Sequence, residues 1–196
     1  MPRIDTKNFY KKAIARYGFT PRGLHWNSKT SQHTRFEIIH ELLAHDINTA
    51  KIVDAGCGFG DLYLFLKQRG ALPRTYIGYD MLDAMLSVAI KKTGQKCVKC
   101  DILNDELEEA DYYIASGSMN ILNRFETHLF IRRCFEASRR GFVFNLLKGE
   151  DVSPHFNYWD TAEMLEHVGA FGCEVVLKEG YMEGDFTLFL KKTTNQ

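Results

Sequence analysis

The sequence predicts an α/β fold: a mostly parallel sheet of seven strands layered with helices, one strand reversed near the C-terminus, and a helical extension in front. Two observations carry this. From residue 50 onward, short apolar runs alternate with segments of helical periodicity, and strand–helix–strand crossovers of that length give parallel pairing. At the end the alternation stops. Two apolar runs, 173–179 and 185–192, are joined only by the turn from Gly180 to Gly184, and a hairpin forces its strands antiparallel. The 196 residues suit a single domain with one sizeable core, residues 1–50 as extension and 51–192 as the sheet unit.

Taken in order, residues 17–23 are rich in turn formers and read as a loop. Residues 31–45 read as a helix, with Phe36, Ile39 and Leu43 on one stripe and Ile38 and Leu42 beside it. The first strand is 51–54, followed by glycine-rich punctuation and a helix over 61–69 closed by Gly70. A second strand over 75–80 leads to a helix over 82–92 that stops near Gly94, and 97–101 makes a short third strand. The fourth is 111–116. A helix over 126–139 follows, with Leu129, Phe130, Cys134 and Phe135 at apolar positions, then a fifth strand over 141–147. Asp160 caps a last helix over 160–168.

Composition narrows the function. Twenty-five Lys+Arg balance 25 Asp+Glu, giving formal net charge zero, whereas a binder driven by nucleic-acid phosphates carries a basic excess. The 45% hydrophobic fraction is ordinary for a globular chain. No apolar run reaches membrane-spanning length, and the first residues lack a signal peptide's apolar core, so a cytoplasmic protein is expected. Five cysteines are scattered. Cys97 and Cys100 make a C-x-x-C with no second pair at zinc-site distance, and they fall inside an apparent strand. Free thiols and no metal are expected.

The strongest local signal is Asp54-Ala55-Gly56-Cys57-Gly58-Phe59-Gly60-Asp61, a strand running through three alternate glycines into a helix. Glycines there let a ligand approach the backbone closely. A dinucleotide fingerprint needs its third glycine one place later; here that place holds Asp61, whose charge would repel a pyrophosphate. The loop suits a nucleoside without phosphates. Asp54, Asp80 and Asp101 end the first three strands, at the edge where ligands bind in a parallel sheet. Asp80 is spaced to accept from both ribose hydroxyls, Asp101 from an exocyclic adenine amine with Ile102 against the ring. Asp54 would face an amino-acid tail, and a cationic ligand suits this acidity.

Asp54-Ala55-Gly56-Cys57-Gly58-Phe59-Gly60, Tyr79-Asp80-Met81 and Cys100-Asp101-Ile102 resemble the first three motifs of the class I S-adenosylmethionine-dependent methyltransferases, and the terminal hairpin is similar to that fold's reversed seventh strand. The resemblance spans roughly 50–192 and implies a three-layer Rossmann-like sandwich. It implies a cofactor cradled by Gly56, Gly58 and Gly60, its ribose on Asp80 and its adenine near Met81, Asp101 and Ile102. Ser116 and Gly117, after the fourth strand, would supply backbone contacts beside the transferable methyl. The Asn/Asp-Pro-Pro-aromatic motif of adenine and glutamine amide methyltransferases is missing there, which disfavours those acceptors.

Residues 17–27 look like a lid, with Arg35 placed either for the cofactor's carboxylate or as a solvated arginine. Trp26, Asn120 and Tyr158 are candidate acceptor contacts, with Phe156 and Trp159 nearby. His25, His128 and His155 are conceivable bases, and none earns a catalytic assignment. Arg132, Arg133, Arg139 and Arg140 read as a solvated face rather than an RNA patch. The expected acceptor is a small molecule, with RNA or protein as alternatives. A nucleotide-dependent oxidoreductase, opposed by the glycine spacing and Asp61, and a cofactor-binding protein without catalysis are the readings from other classes.

Overall fold

The computed structural model describes residues 5–24, 28–150, 153 and 155–193. Its strands are β1 (Lys51–Ala55), β2 (Thr75–Asp80), β3 (Lys96–Lys99), β4 (Ala110–Ser116), β5 (Ser138–Lys148), β6 (Tyr158–Trp159), β7 (Glu174–Glu179) and β8 (Asp185–Lys191). They form one sheet in the order β3-β2-β1-β4-β5-β8-β7, with β6 paired to β5 off that path. The pairs from β3 to β5 are parallel, and β8 runs antiparallel to both β5 and β7. The predicted sheet of seven strands with one reversed is therefore present, and the two-residue β6 adds an eighth strand that the sequence did not announce. Its pairing, Leu147 with Tyr158 and Lys148 with Trp159, is too short to leave a periodic signal.

The described residues form six α-helices, α1 (Thr6–Tyr17), α2 (Lys29–Leu43), α3 (Asp61–Gln68), α4 (Asp83–Thr93), α5 (Arg124–Ala137) and α6 (Thr161–Gly169). The central strands β1 and β4 are buried on both faces, so apolar residues stand at consecutive positions there, Ile52-Val53 and Tyr112-Tyr113-Ile114-Ala115, instead of alternating. On one face Val53, Tyr113, Phe142, Phe144 and Leu188 pack against Ile131 and Cys134 of α5 and Met164 and Val168 of α6. On the other, Ile52, Ile114, Val143 and Phe189 pack against Leu62, Phe65 and Leu66 of α3 and Phe36, Ile39 and Leu43 of α2. The expected apolar stripe of α2 thus makes that helix part of the second layer.

Local chemistry sets the helix ends. The Ser28 hydroxyl accepts from the Ser31 amide while Ser31 returns the bond, so α2 begins at Lys29. Asn123 and Glu126 make the same reciprocal box at the start of α5, and Asp160 caps α6 as expected. Asp5 caps α1, accepting from Asn8 N at 3.0 Å. The chain runs outward from β1 to β2 and β3, then returns to β4. This reversal opens a crevice at the C-terminal ends of β1 and β4, the place where such sheets bind ligands.

Candidate cofactor and acceptor site

A cavity of about 150 Å³ occupies that crevice. Its floor is the glycine loop. Gly56 N and Cys57 N donate to Tyr79 O at 2.8 and 2.9 Å, tying the turn to the end of β2. Gly56 has φ +89°, and a Cβ there would lie 2.3 Å from the Ser118 Cβ, so only glycine fits between the two loops. Gly56 and Gly58 line the cavity; Gly60 does not. Gly60 opens α3, and its missing Cβ would meet Thr93 Cγ2 at 2.6 Å. The structure thus places the third glycine in helix packing between α3 and α4, away from the cavity wall.

Asp80 accepts from Gly58 N at 3.0 Å and Leu82 N at 2.9 Å. These amides fix the carboxylate at the rim, where burial pushes its pKa up to about 6. Asp54, 2% exposed, is held by the Tyr76 hydroxyl at 2.6 Å. Burial drives its carboxyl up to about 7, the Tyr76 bond opposing, with the charges of Asp80 and Asp61 adding to the rise. Asp101, Met81 and Ile102 also line the cavity. Asp101 lies in the turn after β3, accepting from Leu103 N at 3.0 Å and Asn104 Nδ2 at 2.6 Å, so it builds the turn that carries Ile102 as well as facing the cavity.

Ser116 and Gly117 line the cavity at the end of β4, positioned by Asn145 of β5. The Asn145 side chain accepts from Gly117 N at 3.0 Å and donates to Ser116 Oγ at 3.2 Å. Sequence reading missed this residue, although a lone buried asparagine in the apolar run of β5 was the available signal. Asn120 lines the cavity at 8% exposure, and its Oδ1 has no hydrogen-bond partner among the described residues. Arg35 also lines the cavity, 5% exposed. Its Nε donates to Asp185 Oδ2 at 2.6 Å, its Nη2 bonds the same oxygen, and the Tyr181 hydroxyl donates to Asp185 Oδ1 at 2.6 Å. The solvated-arginine alternative is corrected: this is a buried ion pair joining α2 to the terminal hairpin.

The cavity has a cover to which the expected lid segment contributes Leu24, while the sequence did not point to α1. Thr6 and Tyr10 of α1 and Leu24 reach it, with Phe156 beside them. Leu24 Cδ1 would stand 3.0 Å from a Cβ at Gly58, and burial together with the Asp80 charge raises the Tyr10 hydroxyl's pKa. The polar face of α1 hid it; Phe9, Tyr10 and Ala13 were the faint stripe. Tyr158 lies on β6 off the cavity lining, and Trp159 is fully buried. His128 stacks on His167 with centroids 3.6 Å apart, and His155 is exposed beside Phe9; neither lines the cavity. His25 and Trp26 lie outside the described residues.

Two of the four clustered arginines, Arg139 and Arg140, are paired with acids. Arg139 pairs with Glu109 at 3.2 Å, Arg140 with Asp46 at 2.7 Å and Asp111 at 3.5 Å, and Arg133 bonds Asp105 O. All five cysteines are free thiols, and no group of metal-ligating side chains occurs among the described residues. No described helix is long and apolar enough to cross a membrane.

Residues 52–141 match the family model described as a methyltransferase domain. No curated protein matches the chain in sequence. Among solved structures it is similar to magnesium protoporphyrin IX methyltransferase from Synechocystis PCC 6803 with bound SAM. That likeness has a TM-score of 0.73 at 14% identity and covers 98% of this chain and 100% of that one. The pyocyanin biosynthetic protein PhzM is similar at TM-score 0.70 and 18% identity over 94% of this chain and 62% of its own. The PH0226 protein from Pyrococcus horikoshii OT3 is similar at 0.69 and 13%, over 95% and 99%.

The residues present fit the cofactor such folds hold. The buried Asp54 and the half-buried Asp80, both raised by desolvation, favour a cationic ligand, and the glycine floor admits a nucleoside against the backbone. The chain thus carries a match to a methyltransferase domain over residues 52–141 and shares the fold of its solved neighbours. It is an enzyme whose cosubstrate is S-adenosylmethionine.

Proposed function

We propose that this enzyme methylates a small molecule inside a closed site, with the whole chain acting as one domain and α1 together with Leu24 serving as the cover. The observation that carries this is the cover itself: Thr6, Tyr10 and Leu24 line the same cavity as Gly56, Gly58 and Asp80. A macromolecular acceptor needs an open rim and, for RNA, uncompensated basic charge, whereas Arg139 and Arg140 are engaged by acids.

In this reading Asp80 takes the ribose hydroxyls, Met81, Asp101 and Ile102 border the adenine, and Gly56 and Gly58 bring the backbone against the nucleoside. Asp54 and Arg35 serve the methionine end, Asp54 toward its ammonium. Ser116 and Gly117, braced by Asn145, set the position of the reacting centre. The cosubstrate supplies a methyl already activated on a sulfonium, so alignment and exclusion of water are the protein's main contribution. Asn120 Oδ1, buried and unpartnered among the described residues, would accept an N–H or O–H from the acceptor and turn its lone pair toward the methyl.

Incubating the enzyme with S-adenosylmethionine and a panel of small amines, phenols and carboxylic acids, and following S-adenosylhomocysteine, tests this. Turnover of a small acceptor, with a raised KM for it in Asn120→Ala, is the expected result. Turnover only with RNA or protein would refute it. Calorimetry with S-adenosylmethionine, S-adenosylhomocysteine and NAD checks the cosubstrate independently.

A further inference from the structure

Gly78 lies in the middle of β2, where a side chain would be expected to pack. Two sulfur atoms fill the space it leaves. A Cβ built there would lie 2.7 Å from Cys57 Sγ and 3.2 Å from Cys97 Sγ. Cys57 is the residue between Gly56 and Gly58 in the cofactor loop; Cys97 is the β3 residue in register with Gly78. Both belong to a small cluster with Leu86 and Ala89 of α4. Cys100, three residues further on, belongs instead to the core on the other face, as an odd separation along an extended chain dictates. The C-x-x-C spacing is therefore incidental, and the partner of Cys97 is Cys57.

The two thiols are unequal. Cys57 is 6% exposed and Cys97 half-buried. The hydrogen bond between them holds the Cys97 thiol below its ordinary pKa, against the opposing effect of burial; that bond and burial raise Cys57. A more accessible, more acidic thiol beside a buried second one is the arrangement in which the first is oxidised and the second resolves it.

We propose that Cys97 and Cys57 are an oxidant-sensitive pair that closes into a reversible disulfide beneath the glycine loop and thereby weakens cofactor binding. The oxidant is a peroxide. The Cys97 thiolate attacks one peroxide oxygen, the O–O bond breaks, and the departing hydroxide is protonated to water, leaving a sulfenic acid. Cys57 attacks that sulfur, its proton goes to the leaving hydroxide, and a second water departs. Two thiols and one peroxide give one disulfide and two waters, and an external dithiol reverses it. Drawing Cys57 Sγ to bonding distance displaces the segment whose next amide, Gly58 N, orients Asp80. Linkage requires the converse: bound cofactor slows the cross-link.

The cross-link is independent of any acceptor; only its effect on binding rests on the cofactor assignment of the loop. The reduced full-length protein is treated with hydrogen peroxide, its remaining thiols are alkylated, and the cross-link is mapped by peptide mass. S-adenosylhomocysteine affinity is measured by calorimetry before oxidation, after it, and after re-reduction. A Cys57–Cys97 disulfide, at least tenfold weaker binding and full recovery on reduction are expected. Cys97→Ala should bind like the reduced wild type and keep that affinity after peroxide. A different pair, no cross-link, unchanged affinity in the cross-linked protein, or equal peroxide sensitivity in Cys97→Ala would overturn the proposal. A reduced wild type that does not bind S-adenosylhomocysteine would instead overturn the loop's cofactor assignment, leaving the mass readout to judge the disulfide.

Discussion

Asp54→Asn separates what the site needs from what the fold prefers. Asp54 is 2% exposed, and burial lifts its carboxyl from 3.8 to about 7. Asparagine has the same size, and its amide oxygen can keep the 2.6 Å bond from Tyr76. A rise of about three units at about 1.4 kcal/mol each amounts to about 4 kcal/mol for ionising this side chain in the folded, ligand-free protein. Because the folded pKa is the higher one, the folded state holds a proton that the unfolded state has released. That contribution is fully present below about pH 4 and is lost as the pH rises through about 7. Asparagine has no such dependence. Ligand-free Asp54→Asn should therefore exceed the wild type by about 2–4 kcal/mol at pH 8, the margin narrowing toward pH 4. Urea unfolding at pH 4.5, 6.5 and 8, followed by tryptophan fluorescence, reads the difference. In the same variant S-adenosylmethionine should bind more weakly at pH 8. A variant less stable than wild type at pH 8, or one with an unchanged pH slope, would refute the electrostatic reasoning. Undiminished affinity would remove Asp54 from the binding site.

Asp80→Ala should weaken S-adenosylhomocysteine binding by about 1–3 kcal/mol, the range for losing charge-assisted bonds; calorimetry showing no change would cancel its ribose role. Gly60→Ala places a Cβ 2.6 Å from Thr93 Cγ2 at φ +78° and should cost about 1–3 kcal/mol in urea unfolding. The folded variant should keep its cofactor affinity within about twofold; a larger change would return Gly60 to the cofactor cradle. Arg35→Met strands Asp185, which is 2% exposed, and should destabilise by about 3–5 kcal/mol. Adding Asp185→Leu should recover most of that loss. If the double variant is no better than the single, the pair does not act as a unit.

Short-range signals were the ones legible in the sequence. β2 was predicted at its observed bounds, and the glycine loop, the acidic strand ends and the hairpin finish all rest on neighbours within a few residues. Cys57 was visible as a letter of the glycine motif, but its partner could be found only through the register that sets Cys97 beside Gly78. Arg35 met the same limit: its partner is 150 positions away, and no local pattern distinguishes a buried arginine from a solvated one. Gly60 was read as cofactor cradle because motif spacing cannot tell a glycine needed for a ligand from one needed by Thr93. Tyr158 was placed near the acceptor by family analogy, whereas its pairing with Leu147 takes it into the sheet.

The zero net charge conceals a division along the sheet. At the N-terminal ends of the strands, acids and bases pair: Lys51 with Glu108, Arg139 with Glu109, Arg140 with Asp46 and Asp111. At the opposite ends, Asp54 and Asp80 have no ion pair among the described residues, and burial raises both. Two desolvated carboxylates without a cation make the ligand-free protein less stable than its core would allow, and a ligand carrying positive charge removes that penalty on binding. Stability and recognition are thus coupled through the same two side chains. A neutral nucleoside would gain the glycine floor and the Asp80 hydrogen bonds while leaving the carboxylates unmatched. The preference for S-adenosylmethionine over adenosine should therefore widen as the pH rises through 6 to 7, the range in which both groups ionise.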